Sequence, residues 1–281
     1  MNEFKNDLTH SIGFRILVFS VALFVCVLTA LVVIGVLGQD ENIVMLKLGQ
    51  GIGSTVWYVV PPVILYVVTR NQPMFHLGFR KPARVWMLLI GVVLMFISLP
   101  ITNLLTDWNE RVNLGEWAGT MEDSAADLTE RMLAVNTVGE LLFNLVVIAL
   151  IPAVGEELTF RGVLQQALTK GCKNAHVAIA ISAAVFSFIH FQFYGFLPRM
   201  FLGLLLGYLF YYSGSIWTSI LMHFFNNGSV VVLYYLNTKG LVNVDVDHFG
   251  STDNVFVLVA SLVLTVGSIF LVSKNQYKYG K

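Results

Sequence analysis

The chain is short of charge and of cysteine, and both shortages exclude classes of protein. Asp, Glu, Lys and Arg make up only 12% of its 281 residues, about half of the roughly 25% found in a soluble domain. Acidic and basic residues balance at 17 each, so no basic excess marks nucleic acid as a partner. The two cysteines, Cys26 and Cys172, are too few and too far apart in sequence for a disulfide framework or a Cys-based zinc motif. No soluble domain, internal repeat or low-complexity tract is visible.

What the chain has is apolar length. Hydrophobic residues reach 56%, mean hydropathy is +0.74, and several apolar runs extend to roughly 18 residues or more. These features predict an all-α, polytopic membrane protein whose partner is the lipid bilayer. It reads as a single integral-membrane domain over residues 1–281 with its motif core at about 133–235. Eight spans are expected: Ile16 to Leu37, Ile52 to Thr69, Val85 to Leu105, Leu133 to Gly155, Ala175 to Phe193, Met200 to Tyr212, Ile216 to Tyr235 and Val255 to Val272. The first is longer than the roughly 7–15 residues of a signal-peptide core, and no A-x-A site follows it. The sixth is short, with Phe196 and Leu197 ahead of Pro198 as an available extension; its Gly203 and Gly207 form a G-x-x-x-G for close helix approach.

Loop charges predict orientation. Arg70, Arg80, Lys81 and Arg84 lie between the second and third spans, Lys170 and Lys173 follow the fourth, and Lys274, Lys278 and Lys281 follow the last. By the positive-inside rule these sides, and both termini, are cytoplasmic. The segments Thr106 to Met132 and Val242 to Asp253 are acidic and face out, and Arg199 alone sits on the wrong side. The longer outer segment carries a candidate surface helix at Glu122 to Arg131. A bacterial plasma membrane is the expected location.

Ionisable groups inside hydrocarbon are costly, so each one is a functional hypothesis. The stretch P-A-V-G-E-E-L-T-F-R-G that starts at Pro152 holds three. On a helix Glu157 and Arg161 share a face as an i, i+4 ion pair, with the acid N-terminal to the base. Glu156 is turned about 100° away and stays free for proton chemistry. His190 lies deep in the fifth span, and His223 and Asn227, four apart, share a face of the seventh while Asn226 points elsewhere. At about 1.5 Å per residue, Glu156 lies about 21 Å, His190 about 22 Å, and His223 and Asn227 about 12 and 18 Å from the cytoplasmic ends of their helices. Pro152 is expected to kink the fourth span. Glu140 and Asn144, also four apart within that span, are read as binding a neighbouring helix.

A carboxylate, two imidazoles and an amide at one depth suit hydrolysis. In one arrangement Glu156 is general base toward a water that His190 holds, with His223 and Asn227 donating to the oxyanion. In the other, Glu156, His190 and His223 are the ligands of a catalytic zinc. The residues leave both open.

The motifs Glu156-Glu157-x-x-x-Arg161, Phe186-x-x-x-His190 and His223-x-x-x-Asn227, in this order on separate helices, resemble the CAAX prenyl protease and bacteriocin-processing family of intramembrane endopeptidases, the type II CAAX protease or Abi family. Leu77 to Arg80, L-G-F-R, is similar to a short run before the third span of many members. The resemblance implies about eight helices around an intramembrane cavity open to the cytoplasm, and peptide-bond cleavage by glutamate-activated water. It makes Glu156 the base, His190 its partner, His223 and Asn227 the oxyanion site, and Glu157 and Arg161 supports of the motif helix. The implied substrate is a peptide or protein, prenylated or a bacteriocin-like precursor, and the implied cofactor is zinc or none. Two other readings are a non-catalytic immunity or adaptor protein on the same fold, which an eroded motif would favour, and a transporter, which repeats would favour.

Overall fold

The computed structural model describes residues 12–37, 42–69, 77–79 and 83–275. Arg70, Arg80, Lys81, Lys278 and Lys281, named above for orientation or motif, lie outside these residues. The described residues are helical without strands: α1 (Ile12–Leu37), α2 (Ile43–Thr69), α3 (Val85–Glu110), α4 (Glu116–Leu133), α5 (Val138–Cys172), α6 (Ala175–Phe188), α7 (Phe196–Ser213), α8 (Ile216–Thr238) and α9 (Val255–Lys274). Seven of them, all but α4 and α6, are long and apolar enough to cross a membrane.

The fifth expected span is therefore corrected. Helix α6 has 14 residues, about 21 Å at 1.5 Å per residue and short of the roughly 30 Å of hydrocarbon. The chain leaves the helix through a tight turn in which His190 N donates to Ser187 O and Phe191 N to Phe188 O. Phe191 takes a left-handed conformation there, with φ of 54°. His190 thus sits on the turn after α6 and not within a helix. The run F-S-F-I-H-F-Q-F has neither Gly nor Pro to announce this stop.

Other boundaries move for local reasons. Helix α2 starts nine residues before the expected Ile52, because Asn42 caps it by accepting from Val44 N. Leu133 ends the outer helix α4 and does not begin α5. Helix α5 starts at a capping box: Thr137 Oγ1 accepts from Glu140 N, and Glu140 Oε2 accepts from Thr137 N. Glu140 is thus a cap, while Asn144 does bind a neighbour, donating to Met132 O at 2.8 Å. Just before Pro152, where a kink was expected, the helix widens into π-turns over Leu145–Leu150. Such turns supply the room that a proline ring needs inside a helix.

Helix α5 packs against α2, α6 and α8, and α7 against α3, α6 and α8. One apolar cluster joins α3, α7, α8 and α9 through Leu94, Leu206, Leu209, Met222 and Val272. Another joins α2, α5 and the start of α8 through Leu65, Leu158, Ile216 and Leu77. Leu77–Phe79 forms a plug: Gly78 O accepts from Ile216 N at 3.1 Å, and Gly78 holds φ of 80° where a Cβ would strike Phe210 and Ile216.

Gly203 and Gly207 do bring helices together. A Cβ on Gly203 would stand 3.0 Å from Ala183 Cβ and 3.1 Å from its Cα. Since a backbone atom of α6 must yield, Gly203→Leu is expected to destabilise by about 1–3 kcal/mol or more. Heating the detergent-purified protein and measuring the soluble fraction checks this; an unchanged midpoint would contradict the close approach.

Candidate active site

The site is built around the middle of α5. A Cβ on Gly155 would lie 2.8 Å from Tyr58 Cβ, so only glycine lets α5 approach the wide turn Thr55–Val59 of α2. Thr159 Oγ1 locks that contact by donating to Tyr58 O at 2.8 Å. The two carboxylates that follow Gly155 are therefore held at a fixed depth and rotation.

They meet different surroundings. Glu157 is fully buried, and its Oε1 accepts from Arg161 Nη1 at 2.7 Å and from His223 Nδ1 at 3.0 Å. The expected i, i+4 pair is present, and the imidazole from α8 joins it. Arg161 is also buried; its Nη2 donates to Gly203 O at 3.0 Å and its guanidinium lies 5.0 Å over the Phe186 ring. One turn on, Gln165 Nε2 donates to Gly207 O at 3.0 Å. Glu157, Arg161 and Gln165 thus form a polar rail on α5, and the two glycines of α7 expose the carbonyls that receive it. Gln165 was missed by reading motifs, although its spacing of four from Arg161 is a usable signal.

Glu156 is the more accessible carboxylate, its side chain 10% exposed against 0% for Glu157. No hydrogen bond to it occurs among the described residues. Its Oε2 faces His223 Nε2 at 3.7 Å, a separation beyond direct hydrogen bonding. Because a carboxylate only accepts, Nδ1 of His223 carries the proton in its bond to Glu157, and Nε2 is the nitrogen turned toward Glu156.

His190 arrives from the turn after α6. Its Nδ1 donates to Phe186 O at 2.7 Å, which leaves Nε2 free. Phe186 sits at the centre of the group, edge-on to His190 at 5.0 Å and to His223 at 5.9 Å. The charges that reach His190 are those of Glu156, Arg199 and His223. Asn227 lies on the face of α8 that carries His223, and its Oδ1 accepts from Asn226 Nδ2 at 3.2 Å. Asn226 was expected to point away; instead it orients the Asn227 amide, leaving Asn227 Nδ2 as a donor.

Zinc ligation by Glu156, His190 and His223 was the open alternative. Among the described residues no three His, Cys, Asp or Glu side chains are grouped to hold a metal ion. Nδ1 of each imidazole is engaged, by Glu157 or by Phe186 O, and Nε2 of each is the nitrogen left open.

Beside the site lies an apolar cavity of about 470 Å³ between α1, α2, α5 and α6. Tyr58, Thr159, Phe160 and Ile189 line the end near the motif, and Arg15 and Cys172 the other. That far end is on the side of Lys170 and Lys173.

Fold and site together define an integral membrane protein with a buried carboxylate–imidazole centre between its helices. Residues 138–229 match the family Rce1-like, described as type II CAAX prenyl endopeptidase Rce1-like. All three motifs lie within this segment, so the match to the type II CAAX prenyl endopeptidase model covers the whole candidate site. No curated protein and no solved structure matches the chain.

Proposed function

We propose that the protein is an intramembrane endopeptidase in which Glu156 activates water. The observation that carries this reading is the contrast between two adjacent carboxylates. Glu157 is sealed and neutralised by Arg161 and His223, whereas Glu156 is reachable and free of hydrogen bonds among the described residues. The 3.7 Å separation from His223 Nε2 suits groups that work on a molecule placed between them.

In this reading Glu156 takes a proton from water while Nε2 of His190 orients it, and the hydroxide oxygen adds to the peptide carbonyl carbon. The resulting oxyanion accepts a hydrogen bond from Asn227 Nδ2, and the lone pair of His223 Nε2 accepts one from the hydroxyl that the water leaves on the carbon. Collapse breaks the C–N bond, and the leaving amine takes the proton held by Glu156. Glu157 keeps His223 in the tautomer this requires, as Phe186 O does for His190. The apolar cavity suits the hydrophobic part of a peptide substrate, either a prenyl group or the apolar segment of a bacteriocin-like precursor. Location in a bacterial plasma membrane with cytoplasmic termini belongs to the same reading.

The test is cleavage in detergent of a mixed peptide library, with and without a prenylated cysteine, by wild type and Glu156→Gln. Cleavage by wild type alone, unchanged by chelator, is expected. Equal cleavage by both proteins would remove Glu156 from the mechanism. Loss on chelation, restored by zinc, would replace the metal-free route.

A further inference from the structure

Arg199 is the one basic residue that the orientation rule left on the wrong side, and the site has not used it. In the structure it lies on the first turn of α7 and turns back onto the segment that carries His190. Its Nη1 donates to Gln192 Oε1 at 2.8 Å, and its Nη2 donates to Gln192 O. The guanidinium occupies the space a side chain at position 195 would need: a Cβ on Gly195 would meet Arg199 Cζ at 2.7 Å. An arginine suits this position because its planar fork reaches two oxygens at once.

A second anchor comes from α3. Asn109 is buried near the end of that helix. Its Nδ2 donates to Phe193 O at 2.8 Å, and its Oδ1 accepts from Leu197 N at 2.6 Å. One amide thus ties both ends of the 193–197 stretch. Ser187 adds a third tie from α6, Oγ to Phe196 O at 2.7 Å. The outer helix α4 covers the assembly, with Trp117 edge-on to Phe193 at 5.3 Å and Glu122 Oε2 accepting from Tyr194 N.

These ties matter because His190 has no helix to hold it. The turn at 189–191 contains a left-handed Phe191, a conformation that non-glycine residues rarely adopt. Such a turn persists only where its surroundings over-determine it. Among the described residues the His190 ring makes one hydrogen bond, to Phe186 O, beside its edge contact with the Phe186 ring. We propose that Arg199 and Asn109 are positioning residues that clamp the 189–197 segment and so hold His190 against Glu156. This inference rests on the protease reading for its kinetic consequence, but not for its structural one. It also gives α4 a place in the site: the acidic outer segment is the cover of the clamp.

The experiment joins amide hydrogen exchange over 189–196 to steady-state cleavage of whichever library peptide wild type cuts, in wild type, Arg199→Gln, Arg199→Lys, Asn109→Ala and Gln192→Ala. Loosening the clamp should speed exchange in this segment about tenfold while leaving 152–165 unchanged. Misplacing a catalytic group by 1 Å costs on the order of a hundredfold, so kcat should fall by about that factor in Arg199→Gln with KM within about twofold. Arg199→Lys, which keeps one donor contact, should recover part of both losses. Gln192→Ala removes a single acceptor and should show a smaller change of the same sign, which serves if Arg199→Gln fails to fold. Unchanged exchange would overturn the proposal, and so would a loss confined to KM, which would place Arg199 on the substrate. If wild type cuts no peptide, the protease reading falls and the exchange result alone upholds or overturns the clamp.

Discussion

Replacing Glu156 by glutamine should reduce peptide cleavage by at least about a thousandfold and leave the fold intact. A positioned general base contributes roughly 10²–10⁴-fold, and here the same carboxylate also makes the nucleophile. Glutamine keeps the volume and polarity of the side chain but cannot take the proton. The structural cost should be small, because among the described residues Glu156 makes no hydrogen bond and its one contact within ion-pair distance is His223 Nε2 at 3.7 Å. Thermal midpoints in detergent should therefore agree to within a few degrees. Cleavage within tenfold of wild type would show that another group activates the water.

The larger structural effect belongs to the neighbouring position. Glu157→Ala removes the acceptor shared by Arg161 and His223 and strands a guanidinium that is 1% exposed. Breaking a buried ion pair from one side costs about 3–5 kcal/mol, so this variant should unfold at markedly lower temperature. Activity should fall with it, since His223 loses the group that sets its tautomer. A double variant, Glu157→Ala with Arg161→Met, removes the stranded charge and should regain stability without regaining activity. That split is what separates the two adjacent glutamates: one serves the reaction, the other the frame that aims it. Recovery of activity in the double variant would contradict the role given to Glu157.

Much of this was legible in the chain. Seven of the eight expected spans correspond to helices long and apolar enough to cross a membrane, because hydrocarbon leaves a backbone no alternative to helix. The ion pair of Glu157 and Arg161 follows from spacing alone, and the G-x-x-x-G at Gly203 forecast a close approach. The partnership of Glu157 with His223, 66 residues apart, depends on how α5 and α8 pack, which local pattern does not encode. Spacing placed Asn226 off the catalytic face and had no means of showing that its amide reaches sideways to Asn227. The turn at His190 was hidden for a different reason. Its residues are as apolar as the helix before them, and the bonds that hold the chain just beyond it come from Asn109, more than 80 residues away, and from Arg199 on the next helix. Arg199 was visible as an exception to a charge rule, and the exception is explained by a charge engaged with carbonyl and amide oxygens and not with a loop at the membrane surface.

The wide turns at Leu145–Leu150 bear on how the length of this chain can vary. Helix α5 is fixed at one end by the Thr137 cap and farther along by Gly155 against Tyr58. Each residue of a helix advances its rotation by about 100°. A deletion at Gly155 would therefore turn the carboxylates that follow it away from His223. The stretch before Pro152 holds more chain than an α-turn needs, and it can give up a residue without rotating either end. Deleting Pro152 itself would take away both the surplus residue and the ring that requires the wider turn. A chain of 280 residues shortened at that point would keep its cap, its rail and its carboxylates in phase, whereas the same shortening three residues later would not.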